Sequence, residues 1–570
     1  MHSVFIFLCC RETEIDLFHR VKNDEFHQES EINHSTLSSE FGVPSSLKAH
    51  SLSLYISVLA VTTMSSLLSS FTLPLGIYVS LNVCQYTLSS SFLSSYSPLF
   101  LLSHRFTSYI IISFIIKNKR IHPNEPKSIG VALPLIGHLY KVGKDDPHKF
   151  FLSAVQQHGK VFSVWMGDRR SVFICDSVLV REVLVRQFHV FTNKPRDPII
   201  SIFSSGYKNL AHGRDKEWSQ LRDTLSSAFS NCKIRQISDL VQEETDSLIN
   251  VLTDLSNSGQ VFNPQRYLRV YAMNVVCKYV FSLSSSYSER SEDETTKKIM
   301  KEIGSMVSLL KKPYRFMYGL SWLHYQYAKR FNNPITTTKK LINEILKQHV
   351  ETLDPEKPRD LFDHLITTVG MENETNITRI IHCGIDFILA GMETTSATTE
   401  WVILYLTNHQ QHQQKIYDEI VKSQQQQQQE NVQEPKKRGD TPLLDAFIKE
   451  VMRLRFIVPI SSMRECGEDI MLGDYFIQKG TEVYPFTYGL MHSPDYWKNP
   501  DEFQPERFIG QNHSDHFTPF GLGPRACLGM NLAQSEIHNL ITNILLKFKL
   551  SSIDNQKIND NSNNVCWTNN

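Results

Sequence analysis

Near the end of the chain, hydrophobic residues return in steps of three and four: Ala533, Ile537, Leu540, Ile541, Ile544 and Phe548. That spacing lines one face of a helix, so an amphipathic helix is predicted there. A longer central helix is read from roughly Thr378 to His409, about 48 Å at the usual rise. "KVFSVWMGDRRSVFIC" (160–175) alternates instead, which predicts a strand pair turning near Gly167-Asp168. "LPLIGHLY" (133–140) reads as a Pro/Gly turn. "SQQQQQQE" (423–430), with "PKKRGD" (435–440), reads as an exposed loop between helices. The final "SSIDNQKINDNSNNVCWTNN" is polar and lacks strand alternation, so no terminal hairpin is expected. The predicted class is mainly α with a smaller β portion, and no internal repeat is found.

The N-terminal pattern differs. Residues 1–48 are polar and charged without a period, and are read as poorly ordered. From Ala49 to His104 there is no Asp, Glu, Lys or Arg, and "LYISVLAVTTMSSLLSSFTLPLGIYV" is long enough to cross a hydrocarbon core of about 30 Å. A short apolar run, "YIIISFII" (109–116), precedes Lys117, Lys119 and Arg120, and such basic clusters stay cytoplasmic. Residues 49–120 are thus expected to be a membrane anchor with a basic linker. Residues 121–570 are expected to form one catalytic unit facing the cytoplasm.

Charge and cysteine usage narrow the chemistry. Basic and acidic residues balance at 59 each, so nothing in the net charge calls for a nucleic-acid partner. The ten cysteines are scattered with no C-x-x-C, which argues against zinc and against a disulfide framework. In a reducing compartment, one cysteine with unusual surroundings matters for its thiolate. Cys527 is that residue, in "FTPFGLGPRACLGMNLAQSE" (517–536). It immediately precedes the predicted helix, where free N–H groups and the dipole favour an anion and should lower its pKa. Gly521 and Gly523 allow a tight turn, and Gly529 removes a side chain where a flat group could lie. Arg525 offers a fork for a carboxylate, and Phe520 a ring to pack on.

"FGLGPRACLG" resembles the haem-thiolate loop, F-x-x-G-x-R-x-C-x-G, of the cytochrome P450 superfamily at every fixed position. Other family elements occur in the expected order. "KEVMR" supplies Glu450 and Arg453, and "FQPERF" supplies Arg507 of a buried charge triad. "AGMETT" (390–395) resembles the oxygen-activating stretch of the central helix, and "WSQLR" the helix whose Trp218 and Arg222 hold haem propionates. Arg464 falls where the family places a further propionate partner. The resemblance runs from about Pro134 to Phe548, and is closest to the microsomal branch of drug-metabolising and steroid-17-hydroxylating enzymes.

That resemblance implies the P450 fold, with haem b (iron protoporphyrin IX) between the central and Cys-loop helices. It implies Cys527 as metal ligand, Thr394 and Glu393 as the proton-handling catalytic pair, and a distal pocket lined by Ile385, Phe387, Ala390 and Ile460. The implied activity is insertion of one oxygen atom of O2 into a lipophilic steroid, fatty acid or xenobiotic. Electrons would come from NADPH through a cytochrome reductase on the endoplasmic reticulum membrane, with a cytochrome b-type protein as a further donor. Arg214, Lys216, Lys233 and Arg235 are a candidate docking patch. On the residues themselves, Thr394 can bond back to Ala390 O and bend the helix, with Gly391 leaving space for a small ligand. Two other readings are a haem-thiolate isomerase or dehydratase working without a reductase, and an inactive membrane haem-binding protein.

Overall fold

A computed structural model describes residues 98–569 apart from 143–145, 230–237, 259–262, 284–286, 288–292, 318–319, 332, 430–437, 461–462, 553–556 and 559–564. The segment 1–48 and the span expected to cross a bilayer lie outside the described residues. The chain divides into two units, Glu12–Ile112 and a second comprising Ser113–Asn570 with Met1–Arg11. Of the first, only the opening turns of helix α1 (Pro98–Asn118) are described. Among the described residues no helix is long and apolar enough to cross a membrane. The strands and the remaining helices all belong to the second unit.

The predicted strand pair forms. Strands β2 (Val161–Met166) and β3 (Arg169–Ile174) are antiparallel, in register from Val161 opposite Ile174 to Met166 opposite Arg169. Gly167, at φ 60°, makes the turn. β1 (Lys127–Ser128) joins parallel to β2, and β7 (Glu482–Pro485) parallel to β3, with β4 (Arg464–Glu465) at the far edge. A hairpin of β5 (Ile470–Leu472) and β6 (Tyr475–Ile477) stands apart. Phe162, Ser163 and Val164 are all buried, because protein covers both faces of β2. Phe151 stacks on Phe173 at 3.9 Å and Tyr484 at 4.6 Å from the same ring, making the sheet's own core.

A larger helical core surrounds α5 (Glu374–Asn408), the predicted central helix. Asn373 caps it, its side chain accepting from Asn376 N at 2.9 Å. Around it lie α2 (Asp215–Ser226), α3 (Ser238–Asn257), α4 (Pro264–Phe281), α7 (Pro442–Leu454) and α8 (Met530–Lys547). The space left by Gly391 is filled by protein, since a Cβ there would meet Val276 of α4. Gly391 therefore serves close helix packing, and the expectation that it makes room for a small ligand is corrected. α5 also stays helical through its threonines.

Two further expectations change. The glutamine run is part of helix α6 (Gln410–Gln429), since glutamine is a good helix former and nothing breaks the turn before residue 430. The tail does make a hairpin: β8 (Phe548–Ser552) pairs antiparallel with β9 (Val565–Asn569). Trp567 is buried edge-on against Phe548 at 5.6 Å, and Trp567 O accepts from Ser256 Oγ at 2.8 Å. Gln413 donates to Leu550 O and accepts from Leu550 N, both at 2.9 Å. Backbone pairing, one aromatic and amide side chains of α6 hold the hairpin, so no alternating pattern was needed. Trp567→Ala should lower stability by about 3–5 kcal/mol, read as a lower urea midpoint. An unchanged midpoint would show that β9 is not part of the cooperative fold.

Candidate active site

Cys527 sits three residues before α8. Its N–H donates to Phe520 O at 2.8 Å, and Ala526 N–H to Gly523 O at 2.9 Å, which closes the loop on itself. Gly521 and Gly523 hold φ of 77° and 71°, a region that disfavours any side chain. A Cβ on Gly523 would also strike Leu184 O, whereas one on Gly529 would meet nothing. Phe520 is half-buried beside the loop. Cys527 lies deep in the fold, yet its own surface is open. The thiol pKa is raised, contrary to the sequence expectation: burial outweighs the Gly529 N–H and the Arg222 charge that lower it. The helix start alone does not hold this sulfur as a thiolate; a coordinated cation would.

Cations crowd the same region. Arg525 stacks on the Trp218 ring at 3.7 Å, and its Nη2 donates to Gly213 O at 2.7 Å, while its Nε has no acceptor among the described residues. Burial pushes its pKa down to about 8, with Arg464, Arg214 and Arg222 adding to the drop. Arg464, 2 % exposed, is pushed to about 10 by burial. Lys194 lies well below its usual value through burial and the charges of Arg464 and Arg525, opposed by Asp386. Trp218 and Arg222 are one turn apart on α2, Trp218 buried and Arg222 half-buried, close enough to Cys527 for its charge to act on the thiol. Arg464 is buried and Arg525, Arg222 and Lys194 are half-buried around it, and cations crowded this way repel one another, so the group fits an anionic partner. Lys194 escaped the sequence reading because a lone lysine in a loop carries no local signal.

On α5, Ala390 is exposed and Thr394 and Phe387 half-buried, while most of the helix around them is buried. These positions share one face at steps of three and four. Thr394 Oγ1 donates to Ala390 O at 2.8 Å. Glu393 turns away: it is buried and pairs with Arg269 of α4 at 3.2 Å. Ile385 is fully buried, about 140° round the helix from Ala390, so its expected place in the pocket is corrected. Asp386 sits nearer that face, accepting from Asn209 Nδ2 at 2.7 Å and Ala211 N at 2.8 Å. Ile460 is half-buried between the two cores.

Behind the Cys loop, Arg453 and Glu450 are fully buried and bonded twice, at 2.8 and 2.9 Å. Arg507 Nε donates to the same carboxylate at 3.1 Å. Arg453 also donates to the carbonyls of Met491, Pro500 and Glu502.

The sequence model described as Cytochrome P450 matches residues 126–569. This chain belongs to the cytochrome P450 family. It is 32% identical to "Probable cytochrome P450 508C1" of Dictyostelium discoideum over 80% of this chain and 94% of the relative. It is also 32% identical to "Probable cytochrome P450 519B1" of the same organism, with the same coverage. Among solved structures, a zebra fish cytochrome P450 with progesterone matches at TM-score 0.63 and 28% identity, covering 74% of this chain and 99% of that one. Another, with abiraterone, matches at 0.60 and 28%, covering 71% and 92%.

As a cytochrome P450, this chain is a haem-dependent monooxygenase. Its residues fit the cofactor: an open sulfur, a glycine with clear space beside it, and a crowd of buried and half-buried cations suited to carboxylates. The docking patch fares less well. Arg214 is taken by Glu465 at 2.8 Å and by Lys194 O, so it is not free to meet a partner. Lys216 is exposed, and Lys233 and Arg235 lie outside the described residues. Arg453→Ala would strand the Glu450 carboxylate beside Arg507 alone and should cost about 3–5 kcal/mol. The expected product is aggregate or haem-free protein; a variant with full haem content that loses only turnover would make the residue catalytic rather than structural.

Proposed function

We propose that this P450 takes electrons from NADPH through a flavoprotein reductase and inserts one oxygen atom of O2 into a lipophilic small molecule. The observation that carries the reading is the open α5 face of Phe387, Ala390 and Thr394, combined with the open sulfur of Cys527. When bound, haem supplies the oxygen activation that no side chain can. Cys527 would hold its iron, and the cysteine's electron donation favours O–O cleavage. Arg464, Arg525 and Arg222, with Lys194, would take the two propionates, and Trp218 would brace Arg525 from below. Phe520 and Gly529 would border the ring.

The polypeptide's own chemistry concerns protons and shape. Thr394 can exchange its Ala390 bond for one to a group in the opening, passing a proton there. Glu393, anchored by Arg269, would deliver protons by way of water. Phe387, Ala390 and Ile460 would form an apolar wall for the substrate. The progesterone and abiraterone in the zebra fish neighbours support a flat lipophilic occupant. Steroids are the first class to test, followed by fatty acids and xenobiotics. The basic run Lys117, Lys119 and Arg120 after an uncharged stretch supports anchoring in the endoplasmic reticulum with the catalytic unit facing the cytoplasm. A cytochrome b-type protein is a further candidate donor.

Cys527→Ala should abolish the thiolate-type carbon monoxide difference spectrum, and persistence of that spectrum would sink the ligand assignment. Thr394→Ala should keep the spectrum and NADPH consumption while releasing hydrogen peroxide in place of product. Removing one positioned hydroxyl is expected to cut product per NADPH by about 10²-fold. NADPH, peroxide and product are measured together with a steroid that shifts the haem spectrum on binding. Full coupling in the variant would remove Thr394 from the proton path.

A further inference from the structure

A cavity of about 500 Å³ that shares no lining residue with the haem site lies where the end of α1 meets β1, β2 and β3. Its wall carries Lys117, Lys119, Arg120, Lys127 and Arg170 against a single carboxylate, Glu125. The two inner cations are committed. Lys117 pairs with Asp168 at 2.8 Å, and Arg170 with Glu125 at 2.9 Å and Gln478 at 2.9 Å. Those bonds fix the floor. Lys119, Arg120 and Lys127 are exposed, and no carboxylate pairs with them among the described residues. The cavity thus offers three uncompensated positive charges above a neutralised base.

Apolar residues set its edge. Ile116 and Ile121 both line it, and are 57% and 61% exposed. Asp168, the partner of Lys117, ties this floor to a further apolar element. Asp168 N donates to Phe316 O at 2.9 Å, and four residues beyond Phe316 a helix, Leu320–Phe331, begins. Leu320, Leu323, Tyr327 and Phe331 are all exposed on that helix, Phe331 by 74%. Their spacing of three and four puts them on one face. A free anion in water needs no such surroundings, whereas a lipid offers an anionic head to the cations and acyl chains to the apolar edge.

We infer that this cavity binds the phosphate of an anionic phospholipid headgroup. The site is independent of haem chemistry and rests only on the expectation that the protein works at a membrane. Full-length protein in neutral detergent is mixed with a photoactivatable phosphatidic acid, or with the matching phosphatidylcholine, and the labelled peptides are mapped. Phosphatidic acid should label residues 116–130, with phosphatidylcholine labelling them far less. Lys119→Gln and Lys127→Gln should each lower labelling about fivefold, in line with one surface charge on an anionic lipid. The carbon monoxide spectrum should stay intact, since neither residue touches the haem site. Labelling elsewhere, labelling indifferent to the headgroup, or labelling unchanged in both variants would overturn the proposal. So would inorganic phosphate competing as well as phosphatidic acid, which would mark a free-phosphate site. Flotation of the unlabelled protein with phosphatidylcholine vesicles tests the membrane expectation separately.

Discussion

The Glu450 carboxylate is the point on which the proximal half of the molecule turns. It is wholly removed from water, and ionised carboxylates survive there only when fully compensated. Arg453 brings two bonds, Arg507 a third and Gln504 N a fourth at 2.9 Å. Arg453 in turn draws in carbonyls from Met491, Pro500 and Glu502, so one guanidinium pins α7 to a loop with few backbone hydrogen bonds of its own. That loop leads directly to the cysteine. A buried pair of this kind is weak evidence of net stability. What it supplies is position: Arg453 and Arg507 tie the chain between Met491 and Arg507 to α7, and the next stretch of chain carries Cys527.

On the inner side the electrostatics run the other way. There cations crowd one another, and burial drives Arg525 and Lys194 toward the neutral form. The cysteine is likewise held back from ionising. Both strains have the same remedy, a group that brings a metal cation to the sulfur and carboxylates to the arginines. Proximal rigidity and inner-side charge are therefore complementary. The first sets where the sulfur sits, and the second favours a metal macrocycle that carries two carboxylates.

How much of this is legible in the sequence depends on how local each feature is. The Cys527 loop is legible because turn, sulfur and helix start lie within ten residues, and Glu450 with Arg453 because they share one turn. The β2–β3 hairpin shows in its alternation. The hairpin of the tail was invisible, since its partners, Ser256 and Gln413, come from elsewhere in the chain. Lys194 was missed for the same reason. Ile385 went wrong through helix phase: apolar residues cover most of α5, and only the exposed Ala390 tells which side opens. The same ambiguity let Gly391 pass for a ligand space when Val276 fills it.

Phase also divides the labour of Glu393 and Thr394. Neighbours on a helix point about 100° apart, and here the adjacent acid and alcohol go to different surroundings. Thr394 takes the open side and bonds back along the helix, while the acid goes into the wall and is tied to Arg269. A carboxylate fixed there cannot touch a reacting atom directly. The separation has a benefit that a shared face would lack. A carboxylate left in the opening would be desolvated beside an apolar substrate and would be driven to protonate. Held against Arg269, Glu393 stays out of the opening, and the side chain of Thr394 that borders it is a neutral hydroxyl.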